Sequence, residues 1–315
     1  MEEHKKLGAT DIFMLFAVFF WALNFSFIKI ALREFSPLGF NGIRLFFASL
    51  ILIFVLFISG EGFSIDRSDL GKIVALGLIG NTIYQLLFIH GLNWTTASNT
   101  SIVMAMTPVF VALLGTLLKH ETIHWAGWLG IVISFVGFYF VITKQLGAFH
   151  LEWQSLRGDL FIFVGNIFWA VYTVFSKPIL EKISPLKLTS LTLAIGTLFY
   201  LPFSAKAIVQ LHWREISFQA WAALFYSGLL AIATCYVIWY ASVKRVGNSK
   251  TAIYGNITPI FTVIFAYIFL SEKLTLLQIV GALIIFAGVY LTRSGYRFFE
   301  RAKGSDKKRN GAGPL

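Results

Sequence analysis

The sequence predicts an all-α integral membrane protein, with ten transmembrane helices arranged as two inverted five-helix repeats. Three observations predict it. First, of 315 residues 57% are hydrophobic and 13% charged, against ~45–50% apolar and ~25% charged in soluble domains, and the mean hydropathy is +0.75. Second, the apolar residues gather into ten stretches, each close to the ~20 residues that cross a bilayer as a helix. Third, the second half of the chain repeats motifs of the first in the same order.

The composition also excludes. A soluble enzyme could not bury this much apolar surface. A nucleic-acid binder is excluded because the net charge of +11 is scattered over short connections and a tail. An aromatic content of 17% is incompatible with disorder. The single cysteine, Cys235, excludes a disulfide framework and a Cys-based metal site. No His, Cys or carboxylate cluster has metal-ligand spacing, and no G-x-x-x-x-G-K-[ST] nucleotide loop is present. The sequence therefore implies no metal, no cofactor and no ATPase.

In chain order the expected spans are 11–31, 37–59, 70–91, 96–118, 125–143, 158–177, 187–203, 220–240, 249–270 and 275–292. The first is too long for a cleaved signal peptide, contains Lys29 and lacks a small-residue cleavage pattern. The second follows Ser36-Pro37, and the third carries Asn81, Tyr84, Gln85 and His90. The fourth is interrupted by Thr107-Pro108, and the fifth bears a stripe of Ala126, Gly130, Ser134 and Gly137. The stripe marks close helix packing, within the monomer or across a homodimer. The sixth begins at Asp159, the seventh is the shortest, the eighth carries Tyr236, the ninth contains Thr258-Pro259, and the tenth repeats the glycines as Gly281 and Gly288. The longest connection, 204–219, holds AIVQLHWREI, which has the character of a surface-lying amphipathic segment. Lys and Arg orient the spans. With both termini cytoplasmic, 17 lie inside and 6 outside, the inner set including Lys5, Lys6 and the 295–315 tail. The expected location is the plasma membrane.

The repeat is ordered. FWALNFSFIKIALREFSPL at 20–38 aligns without gaps on FWAVYTVFSKPILEKISPL at 168–186, with nine identities. Ser98, Thr100, Ile102, Thr107, Pro108 and Phe110 meet Ser249, Thr251, Ile253, Thr258, Pro259 and Phe261, and Glu121, Gly130, Gly137 and Tyr139 meet Glu272, Gly281, Gly288 and Tyr290. Five helices are odd in number, so the second set enters the membrane from the opposite side. This gives repeat 1 over 10–144, repeat 2 over 157–294 and a basic tail over 295–315.

These motifs resemble the drug/metabolite transporter superfamily, in particular chains with two EamA-type domains. The resemblance rests on W21-A-L-N-F-S-F-I-K29, Arg44 in N-G-I-R-L, and Y84…F88…G91-L92…T96-A97-S98 followed by T107-P108, with Glu121 repeated as Glu272. It covers roughly 10–294. Asn93-Trp94 departs from the charged-aromatic pair more frequent in the family. The resemblance implies a transporter. Members move amino acids, nucleosides, sugars, vitamins and drugs, generally outward in bacteria.

Candidate substrate-binding residues are Asn24, Lys29, Arg44, Tyr84, His90, Asn99, Trp169, Tyr172, Tyr254 and Asn256, with helix breaks at Pro108 and Pro259. Asn supplies donor and acceptor, and Tyr and Trp supply apolar faces with a polar handle. The same groups could equally bond helix to helix. Lys29 either serves the substrate or snorkels to the boundary. Arg44, whose repeat position is the uncharged Thr192, either attracts an anionic group or pairs structurally. Symmetric mid-helix prolines point to a central cavity. No carboxylate is expected deep in a span, and only His90 is placed for proton coupling. The expected function is secondary export of an amino acid or related small metabolite by alternating access. A membrane enzyme acting on lipid-linked substrates and a channel are the other readings. The partners are a small-molecule substrate and the lipid bilayer.

Overall fold

The computed structural model describes residues 8–118, 125–143 and 153–292, and these residues contain helices and no strand. Helices α1 (Ala9–Ala31), α2 (Pro37–Ile58), α3 (Arg67–Trp94), α4 (Ala97–Leu117), α5 (Trp125–Thr143), α6 (Trp153–Leu180), α7 (Pro185–Val209), α8 (Phe218–Val246) and α9 (Asn248–Leu270) are long and apolar enough to cross a membrane, whereas α10 (Leu276–Thr292) is shorter. Glu121 and the basic tail lie outside the described residues. Exposed side chains such as Phe54, Phe57, Leu198 and Tyr290 are apolar or aromatic, as a lipid-facing surface requires.

Local chemistry sets the helix starts. The repeated Ser-Pro-Leu is a capping device. Ser36 Oγ accepts from Gly39 N and Ser184 Oγ from Lys187 N at 3.0 Å, with Pro37 and Pro185 opening α2 and α7. Proline at the first helical position has no N–H to leave orphaned. At α8, Ser217 Oγ accepts from Ala220 N, and Glu34 receives both Ser217 N and Ser217 Oγ. Those two donors hold the Glu34 carboxyl below the usual carboxylate range.

Two expectations about boundaries are corrected. The seventh span was expected to be the shortest, but α7 runs 25 residues to Val209. Its helix absorbs Pro202 and the first part of the expected surface segment, because local hydropathy falls before the backbone hydrogen bonding stops. Asp159 was expected at the start of its helix. It lies on the seventh residue of α6 and is fully buried, because α6 begins a turn and a half earlier, at Trp153.

The packing follows the repeat. Helix α3 lies on α6 as α8 lies on α1, and α1 lies on α9 as α4 lies on α6. Helix α2 packs along α7, its counterpart. The glycine stripe joins α5 to α10 inside the monomer. A Cβ on Gly130 would meet Gly288 O at 2.5 Å, and one on Gly137 would meet Gly281 O at 2.7 Å. Each glycine therefore contacts the counterpart of the other. The glycines of the stripe are thus packed within the monomer.

Gly137→Val should lower stability by about 1–3 kcal/mol, because the added atoms meet backbone that cannot yield. Gly71→Ala, where a Cβ meets nothing within 4 Å, should be neutral or stabilising in the helix. Thermal unfolding of the detergent-solubilised protein checks both. A second expectation concerns pH. The lowered pKa of Glu34 stabilises the fold above the usual carboxylate range and ceases to do so as the pH falls through the lowered value. Amide exchange at 217–220 should rise in acid, and Glu34→Gln should remove that pH dependence.

Candidate functional site

A narrow cavity opens between the two halves, with about 70 Å³ of room for the centres of water-sized spheres. Its walls are aromatic. Trp169 stands 6.3 Å from its repeat counterpart Trp21, 5.2 Å from Tyr84, 5.0 Å from Tyr236 and 5.7 Å from Trp239, centroid to centroid. Such tilted and edge contacts make a rigid apolar wall.

Backbone irregularities shape this space. Helix α4 is interrupted at Ala105–Met106 before Thr107-Pro108, and α9 at a 3₁₀ turn, Gly255–Ile257, before Thr258-Pro259. Met104 and Thr107 line the cavity, as do their counterparts Gly255 and Thr258. Proline leaves the carbonyl four residues back without its helical donor. In α4 the repair is made by side chains. Asn166 Nδ2 donates to Val103 O at 3.1 Å and Met104 O at 3.3 Å, while Thr107 Oγ1 contacts Met104 O and Asn166 Oδ1, both at 2.6 Å. The counterpart of Asn166 is Val18, so this repair has no equivalent at the α9 break. Helices α3 and α8 carry π-helical segments, Leu78–Ile83 and Ser227–Thr234, which overlap at the repeat spacing. Trp21 Nε1 donates to Ala231 O in the second of them at 2.8 Å.

Arg44 is the only charged residue among the described ones that line the cavity, and it is 1% exposed. Its Nη1 donates to Ser227 Oγ at 2.8 Å and its Nη2 to Gln85 Oε1 at 2.8 Å and to Asn41 Oδ1. Gln85 Nε2 continues the chain to Tyr236 Oη at 2.8 Å, and Gln85 and Tyr236 are themselves repeat counterparts. The guanidinium carbon lies 5.5 Å from the Phe40 ring and 5.9 Å from the Phe88 ring. One cation thus ties α2 to α3 and α8 through neutral acceptors.

Of the ten candidate residues, Asn24, Arg44, Tyr84 and Trp169 line the cavity. The other six lie elsewhere. Lys29 Nζ donates to Leu92 O, Asn93 O and Thr95 O, the last at 2.8 Å, neutralising the carbonyl end of α3. His90 packs on Trp94 with centroids 5.4 Å apart. Asn99 Nδ2 reaches both carboxylate oxygens of Asp159, at 3.3 and 3.2 Å, and Asn99 Oδ1 accepts from Gln278 Nε2 at 2.6 Å. Tyr172 Oη bonds Thr192 Oγ1 at 2.6 Å and accepts from Asn81. Tyr254 Oη donates to Asp11. Asn256 is half-buried beside the α9 break. Sequence reasoning did not propose Trp21, Phe88 or Trp239 as binding residues, although the pairing of Trp21 with Trp169 in the repeat was the signal for the first. Pro108 and Pro259 do sit at the two breaks.

The ends of the cavity differ. At the start of α4, Thr95 Oγ1 donates to Asp159 Oδ1 at 2.5 Å, and Glu272 accepts from Ala97 N, Ser98 N and Ser98 Oγ at 2.9, 3.0 and 2.7 Å. Ile102, Val103, Ala105 and Met106 are buried there, whereas their counterparts Ile253, Tyr254, Asn256 and Ile257 in α9 are half-buried.

A helical protein with nine long apolar helices among the described residues and a central cavity of this kind has the architecture of a polytopic membrane transporter. The EamA-like transporter family matches residues 8–143 and again 156–294, so the chain belongs to that family and its role is membrane transport. An uncharacterized transporter of Archaeoglobus fulgidus is 32% identical over 285 residues, covering 90% of this chain and 96% of the relative. The uncharacterized transporters YyaM and YoaV of Bacillus subtilis are 28% and 25% identical, covering 92% and 86% of this chain and 95% and 92% of their own. A crystal structure aligns with a TM-score of 0.68 at 15% identity over 94% of this chain and 99% of its own, a likeness of fold.

Asn166→Ala should destabilise the protein by about 1 kcal/mol, because it removes the amide's hydrogen bonds to the Val103 and Met104 carbonyls and to Thr107 Oγ1, which keep only Met106 N and each other as partners. Thermal unfolding in detergent should show the loss. Val18→Ala, at the counterpart position, removes no hydrogen-bonding group and should lose only its packing contribution.

Proposed function

We infer that this chain is a secondary transporter exporting an amino acid or related small metabolite, by alternating access of two inverted five-helix repeats, 10–144 and 157–294. The observation that carries the reading is the cavity's lining. Both halves contribute, and they do so in counterpart pairs: Trp21 with Trp169, Gln85 with Tyr236, Thr107 with Thr258. A site built on a pseudo-twofold axis is what rocking one repeat against the other needs. The reciprocal contacts of α5 with α10 support the same symmetry, with α10 as the tenth span. So does the unequal burial of the α4 and α9 half-helices, since alternation demands one end closed while the other is loosened. The carboxylate Asp159 belongs to the closed end and not to the cavity lining, so the substrate's own gradient drives transport.

Counterflow in proteoliposomes tests this. Preloaded amino acids and related metabolites should drive saturable uptake of their labelled forms with no pH gradient imposed. Flux that never saturates identifies a channel, and product formation identifies an enzyme on lipid-linked substrates. Orientation is tested separately. Both termini should be cytoplasmic and the basic tail 295–315 should face the anionic inner leaflet, so a reporter active only outside the membrane should stay silent after Leu315.

A further inference from the structure

The charge balance of the cavity is incomplete. Arg44 has five N–H donors in a planar fork, and three are engaged, all by neutral oxygens. Its Nε–H has no acceptor. No carboxylate among the described residues lines the cavity or pairs with Arg44. Acids elsewhere are committed, Asp159 to Thr95 and Asn99, Asp11 to Tyr254, and Asp69 to Lys72 and Lys182. A buried charge without a counter-charge is costly at membrane depth, and such groups mark ligand sites. A second orphan faces the same space. Asn24 is 6% exposed and lines the cavity, and its Oδ1 has no donor. The rings of Trp21, Tyr84, Phe88 and Trp169 line the same cavity.

These groups define what completes the site. Arg44 requires one negative charge, Asn24 requires one N–H or O–H, and the rings require an apolar body of ring size. No acidic group waits for a substrate ammonium. We propose that the cavity selects a monoanion, an organic acid with an apolar, ring-sized body and no free amine, its carboxylate docking on Arg44. The proposal rests on the transporter reading above. Within that reading it favours the related metabolites over free amino acids, since an amino acid with its ammonium brings no net charge. An N-acylated amino acid meets all three requirements: its amide N–H faces Asn24 Oδ1 and its side chain faces the rings.

The test is equilibrium binding to the purified full chain in detergent, which needs no transport. The probe is tritiated N-acetylphenylalanine, with phenylacetate as a simpler monoanion. Both should bind saturably. The neutral primary amide of N-acetylphenylalanine should bind about 10- to 150-fold more weakly, the range for loss of a hydrogen bond to a charged group. Zwitterionic phenylalanine and cationic phenethylamine should also compete weakly. Arg44→Gln should abolish the preference for the acid over its amide, Arg44→Lys should restore part of it, and Asn24→Leu should weaken N-acetylphenylalanine while leaving phenylacetate unchanged. If Arg44→Gln does not fold, the acid–amide comparison in the unaltered protein still decides. No saturable binding of either acid, equal binding of acid and amide, or tighter binding of phenylalanine overturns the proposal. Absence of counterflow for every solute would sink the transporter reading yet leave these binding results standing.

Discussion

The structure depends on one constraint: at membrane depth no water is available, so each backbone donor and acceptor must find its partner in the protein. Regular helices meet it alone. At three of the places where this chain departs from the regular helix, a side chain restores the balance. The α4 break is held by Asn166 and Thr107, the π-helical segment of α8 by Trp21, and the carbonyl end of α3 by Lys29. Two of these repairs, by Asn166 and Trp21, come from the other half of the chain, so irregularities that form the cavity also tie the halves together.

The same constraint makes the two ends of the cavity unequal. The α4 end has Asn166 at its break and Asp159, Glu272 and Gln278 at its start. The α9 end has Tyr254 on Asp11 and no counterpart of Asn166. In the alternating-access reading proposed above, a symmetric framework with asymmetric fastenings would give two unequal states, and a few hydrogen bonds of ~1 kcal/mol each would be enough to set their populations. Arg44 sits where both halves meet, bonded to α3 and α8 at once, so the proposed anion, drawing on its free donors, would act on both.

The sequence carried the architecture because its signal is long-range order in composition. Spans, breaks and counterparts can be read from apolar length, Thr-Pro and the repeat, and Ser-Pro reads as a cap whatever surrounds it. The site was less legible. In a helix apolar on all sides, sequence gives the depth of a polar residue but not the face it occupies. Asn24 and Asn99 look alike in the chain, yet one lines the cavity and the other bonds Asp159 and Gln278. Tyr84 and Tyr172 part in the same way. Lys29 could be read as substrate-facing or snorkelling, and neither reading foresaw three carbonyls, two in α3 and one just beyond it, waiting at its reach. The length of α7 was missed because hydropathy marks the membrane edge while helix termination is set by capping and hydrogen bonds.

The central claim is that the α4 and α9 half-helices exchange the closed position. Single cysteines at the counterpart positions Ile102 and Ile253, in a Cys235→Ala background, report on it through their rates of maleimide labelling in membranes. Ile253→Cys should label fast and Ile102→Cys slowly. Adding Asp159→Asn, which weakens the fastening at the α4 end, should speed labelling at 102 and slow it at 253. Rates that stay fixed, or that rise together at both positions, would contradict the account.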